Sequence, residues 1–406
     1  MKVEIQRRDL PWVDAYVTVL CGPFAMPSVD DLREAVRRLA SRHPQSRLTW
    51  RADETGRHWL NDRDVTSVVV ERDWDDGRDR GAILDDIAHD ESLDPPLVLI
   101  RYPNYIGLKM SHSVGDGRMF LTVISAVLTT AMTGEVAPWP AEPGGRFPLT
   151  KASVNTFGRK PLLIKSAIGD RVQPAADDPG DHPRIESWTP SRRTVHVPVP
   201  RQRVDEFFAW AKEHAPGASR FALQISLILR AVTLVGLIPS PDMRVIVDLR
   251  RYLGWRYIDG NFVAGVPMQI GPDMAPEQIS STMRATMASG RPLVNQILAT
   301  ARGGTAAPHV TSVDLAERPR LSFTNMGSSP EINGLPFLSD LPAVYAGSVP
   351  PDGPHGVTFL VAEAPALLTL NATFHDNVVD AALVREAFEL VASDPIGLLS
   401  AAERLA

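Results

Sequence analysis

The sequence predicts an α/β fold, because segments with helical periodicity alternate with short apolar runs of strand length. The segment Asp30–His43 has apolar residues three and four positions apart, which indicates an amphipathic helix. The runs Leu97–Tyr102 and Tyr105–Met110 are joined by Pro103-Asn104 and indicate a hairpin of buried strands. The 406 residues exceed the length at which one core stops growing, about 250–300 residues, so we expect two units.

Composition and charge exclude several classes of protein. Hydrophobic residues make up 44% of the chain and charged residues 22%, which is ordinary for a globular protein and excludes global disorder. The net charge of −6 provides no basic field for a nucleic acid. The single cysteine, Cys21, excludes an intramolecular disulfide, and no spacing of histidines or cysteines predicts a metal site.

No segment of the chain predicts secretion or a membrane span. The first residues lack a continuous apolar stretch. The longest apolar stretch, Phe221–Pro239, is interrupted by Gln224 and Arg230, so we expect a buried helix there. Together with the single cysteine, these features predict a cytoplasmic protein, and we expect a monomer.

The alternation of helices and strands continues along the chain. A helix is predicted over Arg118–Met132, whereas the acidic stretch Glu71–Asp94 is interpreted as a solvated face. In the second half we predict the strands Thr194–Val199, Met243–Leu249, Phe262–Met268, Arg320–Thr324, Gly356–Val361 and Leu367–Phe374. The helices predicted there are Arg201–His214, Ser219–Leu237, Ala275–Ala301 and Val379–Ala392.

The two predicted units meet in a stretch without periodicity. Proline, glycine and aspartate crowd Glu135–Trp188, where only Leu162–Ile168 has helix-like content. We interpret this stretch as a crossover and place the division between residues 1–175 and 176–406.

The six residues from His112 to Gly117, HSVGDG, carry the clearest indication of chemistry. They follow a predicted buried strand and precede a predicted helix, so the free N–H groups of the helix start lie in this loop. Such groups can donate to a developing oxyanion, and an imidazole accepts a proton near neutral pH. Asp116 suits an internal ion pair, and Gly117 permits close approach of the backbone.

The HxxxDG spacing at a strand–loop–helix junction resembles the signature of the chloramphenicol-acetyltransferase-like superfamily, which includes nonribosomal peptide condensation domains and plant-type acyltransferases. Further segments resemble family motifs and occur in the family's order. They are Arg42–Leu48 (RHPQSRL), Asp248–Arg250 (DLR), Gly260–Val263 (GNFV), Pro319–Gly327 with its Asn-Met-Gly ending, and Leu368–His375 before a terminal helix.

The resemblance implies two acetyltransferase-like lobes in a V shape, with a tunnel between them that contains the histidine loop. It also implies that His112 acts as a general base towards a hydroxyl or amine acceptor, which attacks a thioester directly without an acyl-enzyme. No bound cofactor is expected. The co-substrate is a pantetheine thioester, carried by CoA or by an acyl or peptidyl carrier protein.

The resemblance assigns roles to residues around His112. Asp116 is expected to form a structural ion pair, with Arg250 as the first choice of partner and Arg47 as the second. The backbone N–H of Gly117 is the expected oxyanion donor. The candidates for substrate binding are Asn261, Asn325 and Arg250, and a structural turn is the alternative role for both asparagines.

Departures from the family pattern separate its branches. Peptide-forming condensation domains carry two adjacent histidines, and Ser111 stands in place of the first. The DFGWG motif of the plant branch is absent, and the segment Gly353–Gly356 (GPHG) stands in the region where that motif is expected. These departures favour a free-standing acyltransferase of specialised metabolism, such as antibiotic biosynthesis. The alternatives are a non-catalytic recruitment module and a free-standing enzyme that forms peptide bonds.

Overall fold

The structure is a computed structural model that describes residues 2–93, 96–140, 147–169, 183–258, 260–301 and 310–403. The strands are β1 (Lys2–Glu4), β2 (Tyr16–Gly22), β3 (Trp50–Ala52), β4 (His58–Asn61), β5 (Val69–Glu71), β6 (Leu97–Arg101), β7 (Ile106–Ser111), β8 (Arg184–Ile185), β9 (Arg192–Pro200), β10 (Asp242–Asp248), β11 (Val263–Gln269), β12 (Val313–Asp314), β13 (Arg320–Ser328), β14 (Val344–Ser348), β15 (Gly356–Ala364) and β16 (Leu367–His375). The helices are α1 (Val29–Arg42), α2 (Val65–Val68), α3 (Arg80–His89), α4 (Gly117–Thr133), α5 (Pro148–Phe157), α6 (Leu162–Gly169), α7 (Arg201–His214), α8 (Arg220–Leu234), α9 (Pro276–Ala288), α10 (Arg291–Ala301), α11 (Pro330–Asn333), α12 (Ala381–Ser393) and α13 (Pro395–Glu403). The α/β prediction is confirmed.

The first large sheet has the strand order β14-β2-β7-β6-β5. Helices α1 and α4 share one hydrophobic core with this sheet, and α3 packs against β2, β7 and β14 in a separate core. Because both faces are covered, every residue of β7 is buried, which explains why the predicted hairpin consists of two largely apolar runs. The sheet therefore holds the end of β7, and the histidine loop that follows it, inside the protein.

The second large sheet has the strand order β11-β10-β13-β15-β16-β9. Its central strands β15 and β16 are buried along their whole length, whereas β10 alternates between buried and half-buried residues. Residues of α7, α8 and α12 join this sheet in the largest hydrophobic core. Two small sheets, β1-β4-β3 and β12-β8, complete the described architecture.

Strand β14 connects the two halves of the chain. Its residues come after the predicted division between the two units. Strand β14 nevertheless pairs antiparallel with β2 of the first sheet, with Ser348 opposite Thr18. The predicted boundary between residues 175 and 176 lies outside the described residues, so the division stays a prediction. The short run Val344–Ser348 contains a glycine and gives no local indication of which sheet it joins.

Two stretches differ from their predictions. The single helix predicted over Ala275–Ala301 is two helices, α9 and α10, because Gly290 adopts a φ of +76° between them. A β-carbon at Gly290 would lie 2.7 Å from the Phe157 ring, so the break also permits close packing. The acidic stretch Glu71–Asp94 is not only a solvated face, because it contains α3 with buried Asp85.

Two further observations concern the crossover and the predicted buried helix. Besides α6, the crossover contains α5, whose sequence gave no clear periodicity. Helix α8 occupies the longest apolar stretch and is largely buried, as predicted. Among the described helices, none combines the length and the apolarity needed to cross a bilayer.

Arg192 joins β9 of the second sheet to two strands of the first. Its Nη1 donates to Tyr16 O at 2.9 Å, and its Nη2 donates to Ser348 O at 2.9 Å. Burial lowers the pKa of Arg192 to about 10, and the charge of Asp85 opposes this shift. The side chain therefore donates to backbone carbonyls of both β2 and β14 at the junction of the sheets.

We expect Arg192→Met to lower the free energy of unfolding by about 2–3 kcal/mol, because it removes two hydrogen bonds from a charged donor to these carbonyls. Urea unfolding measures the loss. The matched control is Arg193→Ala, which removes an exposed guanidinium 3.9 Å from Asp85 and should cost about 0.5 kcal/mol or less. Equal losses for the two variants would contradict the assignment.

Candidate active site

The histidine loop leaves β7 and enters α4 as the sequence predicts. The N–H of His112 donates to Ala15 O at 2.8 Å, and the N–H of Val114 donates to Ser111 O at 3.0 Å. The half-buried imidazole lies between two aromatic rings, with centroid distances of 5.1 Å to Trp12 and 5.4 Å to Phe120. Backbone hydrogen bonds and ring contacts thus restrict the position of the imidazole.

The surroundings of His112 favour the neutral imidazole. Burial lowers its pKa from the ordinary value of 6.5, while the charge of Asp116 and the carbonyls of His112 and Gly115 oppose the shift. The Nδ1 atom is buried and makes no full hydrogen bond to any described residue. A neutral ring near pH 7 can accept a proton, and Nε2 is the nitrogen left for a substrate.

Ser111 fixes the N-terminal segment against this loop. Its Oγ lies 2.8 Å from Val13 O and 3.0 Å from Trp12 O, and 2.7 Å from the Oγ of Ser113. The hydroxyl is thus engaged with the 3₁₀ turn Leu10–Trp12, which brings Trp12 to the imidazole. Ser111 therefore has a structural contact with the N-terminal turn at the base of the histidine loop.

Asp116 and Arg250 form a buried ion pair, with Nη1 2.8 Å from Oδ2 and about 1% of each residue exposed. The same Oδ2 accepts the N–H of Phe262 at 2.9 Å, and Oδ1 accepts the N–H of Arg118 at the start of α4. Arg250 is the partner preferred from the sequence. Asp116 points towards the second half of the chain and not towards a substrate at His112.

Both terminal nitrogens of Arg250 make further contacts, whereas its Nε is buried without a hydrogen-bond partner among the described residues. Its Nη1 lies 3.2 Å from Asp248 Oδ1, and its Nη2 donates to Ile258 O at 3.0 Å. Burial by itself lowers the pKa of Arg250, but the carboxylates of Asp116 and Asp248 outweigh burial and raise it. These contacts favour the ion-pair role of Arg250 over direct substrate binding.

Gly117 and Gly115 lie where the two halves of the chain meet. Gly115 forms an isolated parallel bridge with Gly260. A β-carbon at Gly117 would lie 3.3 Å from Cε of Met326, which belongs to the Asn-Met-Gly turn in β13. The loop is therefore held between segments that the sequence places far apart.

The two asparagines of the predicted site differ in their contacts. The N–H of Asn261 donates to Asp9 Oδ1 at 3.1 Å, and its Nδ2 is buried without a partner among the described residues. The amide of Asn325 is engaged on both sides, since Nδ2 donates to Gln224 Oε1 and Oδ1 accepts the N–H of Gly327. Of the two, only Asn261 therefore has a side-chain amide donor without a partner among the described residues.

Arg47 approaches the histidine loop in a way the sequence did not indicate. It adopts a left-handed backbone with a φ of +61°. Its Nη1 donates to Ser113 O at 3.2 Å and to Val114 O at 3.0 Å. Arg47 was the second choice as partner of Asp116, but it holds the loop through these two carbonyls.

Asp9 is a buried carboxylate that sequence reasoning missed. It is 0% exposed and lies 3.5 Å from Nε of Arg8 and 3.9 Å from Nη1 of Arg47. Burial raises its pKa to about 6, although both arginines and the N–H of Asn261 oppose the shift. The sequence around Asp9 has no periodic pattern that would predict its burial. Only the folded structure shows that Asp9 is buried beside Arg8 and Arg47.

Two further polar residues, His355 and Tyr257, are engaged with other groups of the protein. His355 is buried, with Nε2 2.6 Å from Asp314 O and Nδ1 3.2 Å from Glu317. Tyr257 is half-buried, and its hydroxyl donates to the sulfur of Met119. Within the described residues, no group of three histidines, cysteines or carboxylates could hold a metal ion.

We expect Asp116→Asn to lower the free energy of unfolding by about 3 kcal/mol, because Arg250 would lose its closest buried carboxylate. Thermal and urea unfolding measure this loss. Asp352→Asn is the matched control, since Asp352 pairs with Arg244 on the surface and should contribute less than about 1 kcal/mol. Identical unfolding of Asp116→Asn and the wild type would rule out a stabilising pair.

Asp9 predicts a dependence of stability on pH. Its pKa in the folded protein, about 6, exceeds the ordinary value of 3.8, so the folded chain binds the proton more tightly. The resulting stabilisation is present at low pH and is lost as the pH rises through about 6. The free energy of unfolding of the wild type, minus that of Asp9→Asn, should fall by about 2–3 kcal/mol between about pH 4 and pH 7. A difference independent of pH would refute the shift.

No protein-family model matches the sequence, and no curated protein matches it either. Solved structures match over the whole chain at low identity. The first condensation domain of the calcium-dependent antibiotic synthetase, bound to a substrate analogue, has 15% identity and a TM-score of 0.60, with 98% of each chain covered.

Two further structures match with similar TM-scores. The epimerization domain from the third module of tyrocidine synthetase B has 13% identity and a TM-score of 0.58, covering 100% of this chain and 99% of its own. TRI101 of F. sporotrichioides, complexed with coenzyme A and T-2, has 15% identity and a TM-score of 0.57, with 97% of each chain covered. The chain therefore has the fold of the condensation domains and related acyltransferases.

Proposed function

We propose that this chain is an acyltransferase of specialised metabolism. It moves an acyl group from a pantetheine thioester, carried by CoA or a carrier protein, to the hydroxyl or amine of a small molecule. The observation that carries the proposal is His112, a half-buried imidazole with a lowered pKa in a loop held by the Asp116–Arg250 pair. The fold shared with condensation domains and with a CoA-complexed protein supports it.

In the proposed reaction, the acceptor oxygen or nitrogen attacks the thioester carbonyl while its proton passes to Nε2 of His112. The tetrahedral intermediate then collapses, the C–S bond breaks, and the proton from His112 neutralises the departing thiolate. The backbone N–H of Gly117 is the proposed donor to the oxyanion. On this proposal, donor and acceptor reach His112 from opposite ends of a tunnel between the lobes.

Direct transfer is supported by the position of the single cysteine. Cys21 is 0% exposed in β2, and burial raises the pKa of its thiol far above the ordinary value. A buried neutral thiol is a poor nucleophile, so an acyl-cysteine intermediate is disfavoured. The acceptor itself is the nucleophile in the proposed mechanism.

Transfer to a small acceptor is preferred over peptide-bond formation because Ser111 replaces the first histidine of that branch. The Ser111 hydroxyl is engaged with backbone carbonyls of the N-terminal turn and supplies no second base. A non-catalytic recruitment module would not require the neutral imidazole of His112 in the loop where the two halves of the chain meet. The acyl chain and the acceptor are identified by intact-mass assay of acyl-CoAs and acyl-carrier proteins with candidate alcohols and amines.

We expect His112→Ala to lower the rate of product formation by about 10²–10⁴-fold, because it removes the general base. Product is measured by mass spectrometry, and far-UV circular dichroism checks that the fold survives. His214→Ala is the matched control, since His214 is an exposed histidine on α7 that stacks on Trp210. Activity of His112→Ala equal to that of the control would exclude His112 as the base.

The pH profile of the wild type provides a second readout of the same group. The base acts when it is neutral, so kcat/KM should fall as the pH drops through the His112 pKa. Burial places that pKa below 6.5, and the acid limb should therefore lie below pH 6.5.

A further inference from the structure

Trp255 combines a strained backbone with an exposed side chain. Its φ is +62°, a left-handed conformation that bulky residues rarely adopt, and 56% of the residue is exposed. Its N–H donates to Arg250 O at 2.9 Å, so the turn is fixed to the arginine that binds Asp116. An aromatic residue with a left-handed backbone and more than half of its surface exposed is not explained by core packing, which points to a function outside the core.

Arg118 brings a positive charge to the indole of Trp255. Its guanidinium carbon lies 5.6 Å from the ring centroid, and half of its side chain is exposed. Asp248 holds the guanidinium through a contact of 3.4 Å to Nε. Arg118 directly follows Gly117, so this pair of side chains stands at the start of α4, beside the histidine loop.

The turn that carries Trp255 adds further positive charge. Arg251 and Arg256 are both exposed in the same turn of the second half. We call Arg118, Arg251, Trp255 and Arg256 the Trp255 surface. It combines one arginine against a flat ring with two exposed arginines of the same turn, in a chain whose net charge is −6, which favours an anionic ligand that also has a flat group.

We propose that the Trp255 surface binds the 3′-phosphoadenosine head group of an acyl-CoA. Guanidinium groups bind phosphate through paired N–H donors, and an exposed indole stacks on a nucleobase. A carrier protein presents the pantetheine phosphate without a base, so the exposed ring favours CoA over a carrier as the donor. This inference rests on the proposed function, since it assigns the donor of the same reaction.

The position of the surface suits such a donor. Arg118 binds Asp248, Asp248 binds Arg250, and Arg250 binds Asp116 of the histidine loop. A head group bound by Arg118 and Trp255 would therefore lie at the outer end of this chain of ion pairs, whose inner end is Asp116 of the histidine loop. The pantetheine arm would extend from there towards the imidazole.

Binding of CoA itself, without an acyl group, tests the site independently of turnover. Isothermal titration calorimetry with the full chain should give a Kd for CoA that rises about ten-fold in Trp255→Gly and about ten-fold in Arg118→Gln. Glycine accepts the left-handed backbone at this position, so Trp255→Gly removes the indole without adding strain.

The matched control is Arg80→Ala. Arg80 lies 4.7 Å from the centroid of Trp74 beside α3, away from the histidine loop, and its loss should leave the Kd for CoA unchanged. Equal weakening in the control and in Trp255→Gly would overturn the proposal. So would a wild type that does not bind CoA but transfers acyl groups from a carrier protein.

Kinetics separates this proposal from the proposed function. If the chain is an acyltransferase, the preference in kcat/KM for acyl-CoA over the matching acyl-pantetheine should fall about ten-fold in both variants. CoA binding that depends on Trp255 and Arg118, with no turnover of any thioester, would support the site and defeat the acyltransferase function. Turnover with an unchanged preference would defeat the site alone.

Discussion

A buried ion pair joins the histidine loop to the second half of the chain. Arg250 and Asp116 are both about 1% exposed, so neither charge is solvated and each requires the other. Asp116 also accepts the N–H of Phe262, and Arg250 also donates to the carbonyl of Ile258. Because these groups belong to both halves, the loop can hold its position only when the halves are packed together.

Other buried groups reinforce this dependence. Arg47 donates to the loop carbonyls, and Asp9, which lies 3.9 Å from Arg47, accepts the N–H of Asn261. Buried charges cost free energy unless they are paired and hydrogen-bonded, so such a cluster specifies one arrangement of its segments more strongly than apolar contacts do. The site is thus rigid at its base, whereas Arg118 and Trp255 remain exposed at its edge.

Several parts of the site could be predicted from local sequence. The largely apolar run of β7, the aspartate that caps α4 and the glycine that follows it lie within about a dozen residues, and short-range rules apply to them. Arg250 as the partner of Asp116 came from a family resemblance and not from spacing. Asp9 could not be predicted, because burial alone distinguishes it from the other acidic residues near the N-terminus.

The sequence by itself determined the α/β class, the strand–loop–helix context of His112 and the absence of a second cysteine for a disulfide. Only the tertiary structure decided that β14 joins the first sheet, that Gly290 divides a predicted helix, and that Trp255 meets Arg118. The physical reason is the range of the interactions. Periodicity and capping act over a few residues, whereas these contacts depend on how distant segments pack and on which groups that packing removes from water.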